Sequence, residues 1–419
     1  MKNTDADWKL IEAQLPSGWR ELGKEMGLIR ERPGHMGTKI EDLGVILRLV
    51  FYHAATNASL RATTALAAAT GVVSIAAVSL HQWMKKLGPY LTTLLAQMVD
   101  SAAFAPQKWG GFDIIVGDAT TVQRPGSKGT TARVHYALRL ADMTPRHIDV
   151  TDEHGGETAR RFRAEPGELW LLDRAYANPA GVAAIHERGA HIVVRHNRSA
   201  LPLFDKSRER IDVMSLLRAT GERGDVQELP AFVHVNDKEI AGRLCWLRLP
   251  ESKAEQARRR ARKENGPDCD EETLFAAEFV VAFTSIRTEL SASQVLDLYR
   301  ARWQIELEFK RGKSIRDLDR LPNFLPETIH SWICAKLLVQ LISARIANAA
   351  TPQSEAFPPG GRAYRLAFFP AKPAEAITNG RVRRNKLRLA RTADRRGALV
   401  HESSDLGRRV QRVAAAPPR

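Results

Sequence analysis

A chain of 419 residues with 44% hydrophobic and 26% charged side chains has the ordinary composition of a soluble globular protein of two or three domains. Its formal net charge of +15 favours a polyanionic partner such as nucleic acid, although residues 350–419 alone carry 15 Lys and Arg against 5 Asp and Glu. Three widely spaced cysteines exclude a disulfide framework and a cysteine-based zinc site, and without a secretory or membrane-spanning run we expect a cytoplasmic protein that contacts no membrane.

Residues 41–100 carry apolar side chains at helical spacing, interrupted at Gly71, and they predict a series of short helices. Short helices around a glycine turn, followed by Lys85 and Lys86, are typical of a helix-turn-helix DNA-reading unit and equally of a plain helical bundle. We therefore assign residues 1–105 to a helical N-terminal region that is a candidate for DNA binding.

From residue 110 onward, short apolar runs alternate with turns. The runs that predict strands are FDIIVGDATTV, HYALRLADM, RHIDVTD, ELWLLDRAY and HIVVRHN, and helices are predicted at TARRF and PAGVAAIHERG. The order is three strands, helix, strand, helix, strand. This order predicts an α/β domain built around a mixed sheet.

Residues 199–290 interrupt that rhythm with three further apolar runs and one basic run, SKAEQARRRARKENGPDCDEE. We interpret the segment as a β-rich insertion with an exposed basic arm, helical or irregular. Trp246 within it is interpreted as a core side chain, with stacking on an unpaired base as the alternative. A helix with Ser291 as its N-cap is predicted over 289–314 and another over 330–350. Residues 351–419 read as a basic tail, disordered or atypical.

The segment YRARWQIELEFKRGK places one acidic side chain among cations. On an ideal helix, with about 100° per residue, Glu308 lies on the opposite face. A stripe roughly 80° wide is formed by Tyr299, Arg302, Glu306, Lys310 and Lys313. The arrangement suits a metal-binding carboxylate flanked by phosphate-binding groups. A solvated salt-bridge face is the alternative.

Two further acids, Asp118 and Asp173, each come directly after an apolar run that predicts a strand. Capping a strand or turn is the commoner role of such residues. Together with Glu306, however, they would supply the hard oxygen ligands that Mg²⁺ or Mn²⁺ prefers. Two such ions about 4 Å apart can activate a nucleophile and stabilise the leaving oxygen of a phosphodiester. Strand register alone leaves three neighbouring acids as alternatives, namely Asp113, Asp142 and Asp149.

The spacing Tyr299-x2-Arg302-x3-Glu306-x6-Lys313 resembles the YREK signature of bacterial cut-and-paste transposases of insertion-sequence family four. The contexts GDATTVQRPGS and LLDRAYANPAGV around the two aspartates are also similar to that family, and the resemblance extends over roughly 40–350. It implies a ribonuclease H-like catalytic core, formed by 106–198 and 291–350 and interrupted by the β-rich insertion, and it selects Asp118 over its acidic neighbours.

By this resemblance, Asp118, Asp173 and Glu306 would be a metal-binding DDE triad that uses two Mg²⁺ or Mn²⁺ ions. The same resemblance implies contacts to DNA phosphates for Tyr299, Arg302 and Lys313. Its implied partners are double-stranded DNA, as transposon ends and as target, and a second copy of the chain when DNA is bound.

Two further arginines are candidate DNA contacts. Arg124 follows Asp118 in a loop with Lys128 and Arg133, where a solvated turn is the alternative, and Arg174 adjoins Asp173, with which it could simply pair. The expected function is metal-dependent cleavage and strand transfer at the inverted-repeat ends of an insertion sequence. The alternatives are a structure-selective nuclease on the same core and a catalytically silent, element-derived DNA-binding protein.

Overall fold

Eight strands form one mixed sheet. The structure is a computed structural model that describes residues 3–29, 42–100, 108–127, 129–266, 269–319, 321 and 325–350, all within one compact unit; the predicted tail and Lys128 lie outside them. The strands are β1 Asp113–Val122, β2 Ala132–Arg139, β3 Thr144–Asp152, β4 Glu168–Leu172, β5 His191–Arg195, β6 Val226–Val235, β7 Lys238–Arg248 and β8 Phe279–Thr284. Their order across the sheet is β3-β2-β1-β4-β5-β8-β7-β6.

The sheet mixes antiparallel and parallel pairs, which confirms the predicted α/β class. β1, β2 and β3 form an antiparallel meander, whereas β4 runs parallel to β1 and β5 runs parallel to β4. β8 pairs antiparallel with β5, and β7 and β6 follow it antiparallel. The strands predicted for the insertion therefore extend the central sheet.

Twelve helices lie in the described part of the chain. They are α1 Asn3–Glu12, α2 Trp19–Glu25, α3 Leu43–Thr56, α4 Leu60–Ala69, α5 Ala77–Asp100, α6 Pro179–His186, α7 Val213–Ala219, α8 Glu251–Asn265, α9 Glu271–Ala276, α10 Ala292–Arg300, α11 Trp303–Arg316 and α12 Pro326–Ala350. The predicted helix at TARRF is only a 3-10 turn, Ala159–Arg161. The basic run of the insertion forms α8, so its arm is helical.

Successive side chains of β1 point to opposite faces of the sheet. Ile115 belongs to a buried cluster with Phe162 and Trp170. Asp118 has the opposite parity and pairs in register with Tyr136 of β2, whose ring meets Phe309 of α11 edge to face at 6.2 Å between centroids. Helix α11 therefore packs on the face of β1 that carries Asp118.

Gly117 permits close packing directly beside Asp118. A Cβ atom at this position would lie 2.7 Å from Leu172 Cδ2 and 3.0 Å from the Phe162 ring. Both neighbours are fully buried, so neither can move away freely. The backbone of β1 thus approaches the core more closely here than any side chain would allow.

Helix α12 is the only helix among the described residues that is long and apolar enough, by length and composition, to cross a membrane, and two thirds of the relevant segment is buried. It packs against α3, α5 and β3. This packing accounts for its apolar character. In the insertion, Trp246 is also a core side chain: it is 6% exposed and donates a hydrogen bond through Nε1 to Thr220 Oγ1 at 2.9 Å.

Candidate active site

Strand register brings Asp118 and Asp173 side by side. The parallel pairing of β1 and β4 ends with Gly117 opposite Leu172, so the residue that follows each of them in the chain is one of the two aspartates. The prediction that Asp118 follows its strand is wrong, because β1 continues to Val122 through its pairing with β2. Asp173 does follow β4. The two carboxylates therefore stand where β1 and β4 separate.

Each aspartate uses one carboxylate oxygen in a local backbone hydrogen bond. Asp118 Oδ1 accepts from its neighbour's amide, Ala119 N, at 2.8 Å. Asp173 caps the 3-10 turn Arg174–Tyr176, and its Oδ1 accepts from Arg174 N. These bonds fix the orientation of both side chains and leave the Oδ2 atoms facing Arg302, which precedes α11.

The predicted single helix over 289–314 is two helices, α10 and α11, separated at Ala301 and Arg302. Hydrogen bonds across the junction, such as Arg302 N to Tyr299 O at 3.1 Å, have the i to i−3 spacing of a tighter turn. Ser291 is the N-cap of α10, as predicted, and forms a capping box with Gln294. The continuous stripe of the ideal helix is thus broken, and Tyr299 is 9% exposed rather than open to solvent.

The guanidinium of Arg302 contacts the three candidate acids. Its Nη1 lies 3.3 Å from Asp118 Oδ2 and 3.9 Å from Asp173 Oδ2, and its Nη2 donates to Glu306 Oε1 at 2.7 Å. The Arg302 side chain is only 16% exposed, and its Cζ lies 6.0 Å from the centroid of the Tyr299 ring. Residues that are far apart in the chain therefore converge on one cation.

Burial and this convergence of charge perturb the acid–base chemistry of the site. Burial raises the pKa of Asp118 to about 6, opposed by the Ala119 hydrogen bond and by Arg302 and reinforced by nearby carboxylates. Burial alone would lower the pKa of Arg302, but the surrounding tyrosine and three carboxylates raise it above its ordinary value. Burial also raises the pKa of the Tyr299 hydroxyl to about 12. Arg302 is therefore cationic at any physiological pH.

Three residues near the acids were not singled out from the sequence. Glu157, whose pKa is raised by burial, interacts electrostatically with Asp173 and lies 3.6 Å from Arg133 Nε. Tyr176 is fully buried, and its hydroxyl finds no hydrogen-bond partner among the described residues, although it interacts electrostatically with the acids. Arg195 ends β5 and interacts with Tyr299. Arg195 could have been found from its position at the carboxyl end of the strand next to β4.

The alternative acids on neighbouring strands have partners of their own. Asp113 Oδ2 accepts from Arg139 Nε at 2.8 Å, and Asp149 Oδ2 accepts from Arg161 Nη1 at 3.2 Å. Asp142 instead accepts hydrogen bonds from Thr144. These three acids are therefore bound to partners outside the converging set.

The other predicted contacts lie at different distances from the acids. Lys313 is half-buried on α11, two turns beyond Glu306. Arg174 is exposed beside Asp173, whereas Arg124 is exposed after β1, which runs about 13 Å beyond Asp118. Glu308 lies on the other side of α11, as the helical geometry predicted: its Oε1 accepts from Gln340 Nε2 of α12 at 2.9 Å.

Carboxylate oxygens are the donors that suit a divalent cation, and here a guanidinium contacts them. No three His, Cys, Asp or Glu side chains within the described ranges are arranged to hold a metal ion as they stand. The Tyr176 hydroxyl is buried without a hydrogen-bond partner among the described residues, and burial raises the pKa of Asp118. As a donor set, the three carboxylates fit a divalent ion, and the guanidinium of Arg302 contacts them in this structure.

The chain is similar to known proteins over most of its length. Residues 109–342 match the family model described as "Transposase DDE domain". The transposase for insertion sequence element IS421 of Escherichia coli is 30% identical over 355 residues, covering 82% of this chain and 94% of that protein. InsL for insertion sequence element IS186A, from E. coli strain K12, is 30% identical over 354 residues with the same coverage. The transposase for insertion sequence element IS231E of Bacillus thuringiensis subsp. finitimus is 22% identical over 371 residues, 79% of this chain and 77% of that protein.

Proposed function

Because the chain belongs to the DDE transposase family of insertion sequences, we propose that it cleaves and joins DNA at the inverted-repeat ends of its own element, with Mg²⁺ or Mn²⁺ as cofactor. One observation carries this proposal. Asp118, Asp173 and Glu306, which come from β1, the end of β4 and α11, all lie within reach of one guanidinium. Such convergence is what shared metal ions require.

The proposed catalytic core is ribonuclease H-like. The order β3-β2-β1-β4-β5, with an antiparallel meander followed by two parallel strands, supports this assignment. The core would comprise 106–198 and 291–350, with 199–290 as the insertion and 1–105 as a helical, DNA-binding region. Two copies would act together on the two ends of the element, each holding one end.

The three acids would hold two divalent ions through the oxygens that now face Arg302. When bound, such ions lower the pKa of the attacking water or 3′-hydroxyl and stabilise charge on the leaving oxygen. Lys313 and Arg302 would bind phosphates of the transposon end, and Arg124 and Arg174 would extend that surface. Tyr299, which is buried, would support the guanidinium of Arg302 through its ring and so act on DNA indirectly.

A comparison of two glutamates on α11 tests the assignment. The substrate is a plasmid that carries the element with both of its ends, incubated with the full chain and Mg²⁺. We expect Glu306→Gln to abolish strand cleavage while gel-shift binding persists, because a neutral amide is a poor ligand for a divalent ion. Glu308→Gln is the matched control and should cleave as the wild type does. Wild-type cleavage by Glu306→Gln would refute the role of this acid.

A second substrate separates joining from cutting alone. An end that is already cut, with a free 3′-hydroxyl, is supplied with a target plasmid. A transposase joins the two, whereas a structure-selective nuclease yields no joined product. If neither cleavage nor joining occurs although DNA is bound, the chain is a catalytically silent DNA-binding protein.

A further inference from the structure

Arg302 contacts the carboxylate oxygens that a cation would need. In both aspartates, Oδ1 already accepts a backbone hydrogen bond, from Ala119 N and Arg174 N. The remaining oxygens, Asp118 Oδ2 and Asp173 Oδ2, are those that Arg302 Nη1 faces. A divalent ion that binds both aspartates through Oδ2 must therefore compete directly with the guanidinium.

The competition is strengthened by burial. Arg302 and Asp118 are each 16% exposed at their side chains, and a charge that is shielded from water depends on its partners more than an exposed one does. Glu306 is the more accessible partner, with 49% of its side chain exposed. Removal of the guanidinium without a replacement cation would leave Asp118 unpaired in a buried position. The contact between Arg302 and Asp118 is therefore favoured as long as no ligand is bound.

A DNA phosphate is a suitable alternative partner for Arg302. The planar guanidinium binds phosphate through two parallel hydrogen bonds, as it does carboxylate. Arg302 also sits at the junction of α10 and α11, where its own side chain makes no N-cap hydrogen bond to α11. The side chain can therefore rotate away from the acids without loss of a helix cap.

We propose that Arg302 is a positioning residue that keeps the three acids closed to divalent cations until a DNA phosphate draws its guanidinium away. The inference rests on the proposed function and adds a coupling between DNA and metal. Coupling between two ligands is reciprocal. DNA that binds Arg302 therefore raises the affinity for metal, and bound metal raises the affinity for DNA by the same factor. Cleavage would then be confined to the DNA-bound protein.

Mn²⁺ binding to the full chain without DNA tests whether Arg302 keeps the acids closed to divalent cations. Isothermal titration calorimetry is performed on the wild type, on Arg302→Gln and on Arg300→Gln. Arg300 is a matched control because it lies two residues before Arg302, is exposed, and pairs only with Asp297 among the described residues, at 3.4 Å. We expect the Kd for Mn²⁺ to fall about tenfold or more in Arg302→Gln and to stay unchanged in Arg300→Gln.

Two further variants make every outcome decisive. Arg302→Lys keeps the charge without the planar fork and should give an intermediate Kd, which remains measurable if Arg302→Gln does not fold. Asp118→Asn identifies the ion that binds at the acids. If Mn²⁺ binding depends on Asp118 but is no tighter in either Arg302 variant than in the wild type, the inference is overturned and the proposed metal site is retained. Absence of Asp118-dependent binding in every variant overturns both.

Discussion

Replacement of Asp118 by asparagine should stabilise the folded protein at neutral and alkaline pH. Burial raises the pKa of this carboxyl from 3.8 to about 6 in the folded state. A shift of this size corresponds to roughly 3 kcal/mol of unfolding free energy, lost from the wild type when the group is ionised in both states. The side chain is 16% exposed, so solvent screening reduces this upper figure only in part.

The pH dependence gives the prediction its sign. Between pH 3.8 and 6 the folded state binds the proton more tightly than the unfolded chain, so this contribution to stability is complete below 3.8 and is lost as pH rises through 6. Asparagine does not titrate. The advantage of Asp118→Asn should therefore be small at pH 4 and approach its full value, up to roughly 3 kcal/mol, at pH 8.

Urea denaturation at pH 4, 5, 6, 7 and 8, with EDTA present, measures this difference. Asp237→Asn in the exposed β6–β7 turn is the control and should show no such trend. An advantage of Asp118→Asn that is the same at pH 5 and pH 8 would refute the reasoning, as would a loss of stability at pH 8. Confirmation would show that the acid is kept at the expense of stability, as is typical of functional sites.

Three further substitutions test the packing beside Asp118, an ion-pair cluster of the insertion and the N-cap of α10. Gly117→Ala should lower the unfolding free energy by about 1–3 kcal/mol, because its Cβ overlaps buried side chains, whereas Gly129→Ala, with open space around it, should be nearly neutral in the same urea assay. Glu278→Gln should cost on the order of 3 kcal/mol, because three arginines of the insertion converge on this 9% exposed carboxylate; Glu255→Gln, in an exposed helical pair, should cost less than about 0.5 kcal/mol. Ser291→Ala should lower the thermal midpoint through the loss of about 1 kcal/mol of capping free energy, and an unchanged midpoint would argue against the capping box.

Local patterns in the sequence were sufficient for most of the strands and helices. The apolar runs around Asp118 and Asp173 became β1 and β4, and the capping role of Ser291 was confirmed, because each depends on residues a few positions apart. The end of β1 was predicted too early. Its pairing with β2 carries it to Val122, and a pairing partner is not visible in the strand's own sequence.

The helix predicted over 289–314 shows the same limit of local patterns. Ideal helical geometry correctly put Glu308 opposite Glu306, where Gln340 of α12 meets it. It did not predict the tighter turn at Ala301 and Arg302, because no glycine or proline marks that turn. Tyr299 is buried near the end of α10, and Arg302, at the break, contacts Asp118 of the sheet.

By itself, the sequence determined the α/β class, since periodicity is a local property of the chain, and the resemblance of its motifs indicated the family. It also indicated which three acids to consider. Only the tertiary structure decided that these acids meet, because strand register and helix packing set distances between residues that are far apart in the chain. The tertiary structure alone placed Arg302 among these acids. The partners of a buried guanidinium come from distant parts of the chain, so they are known only once the chain has folded.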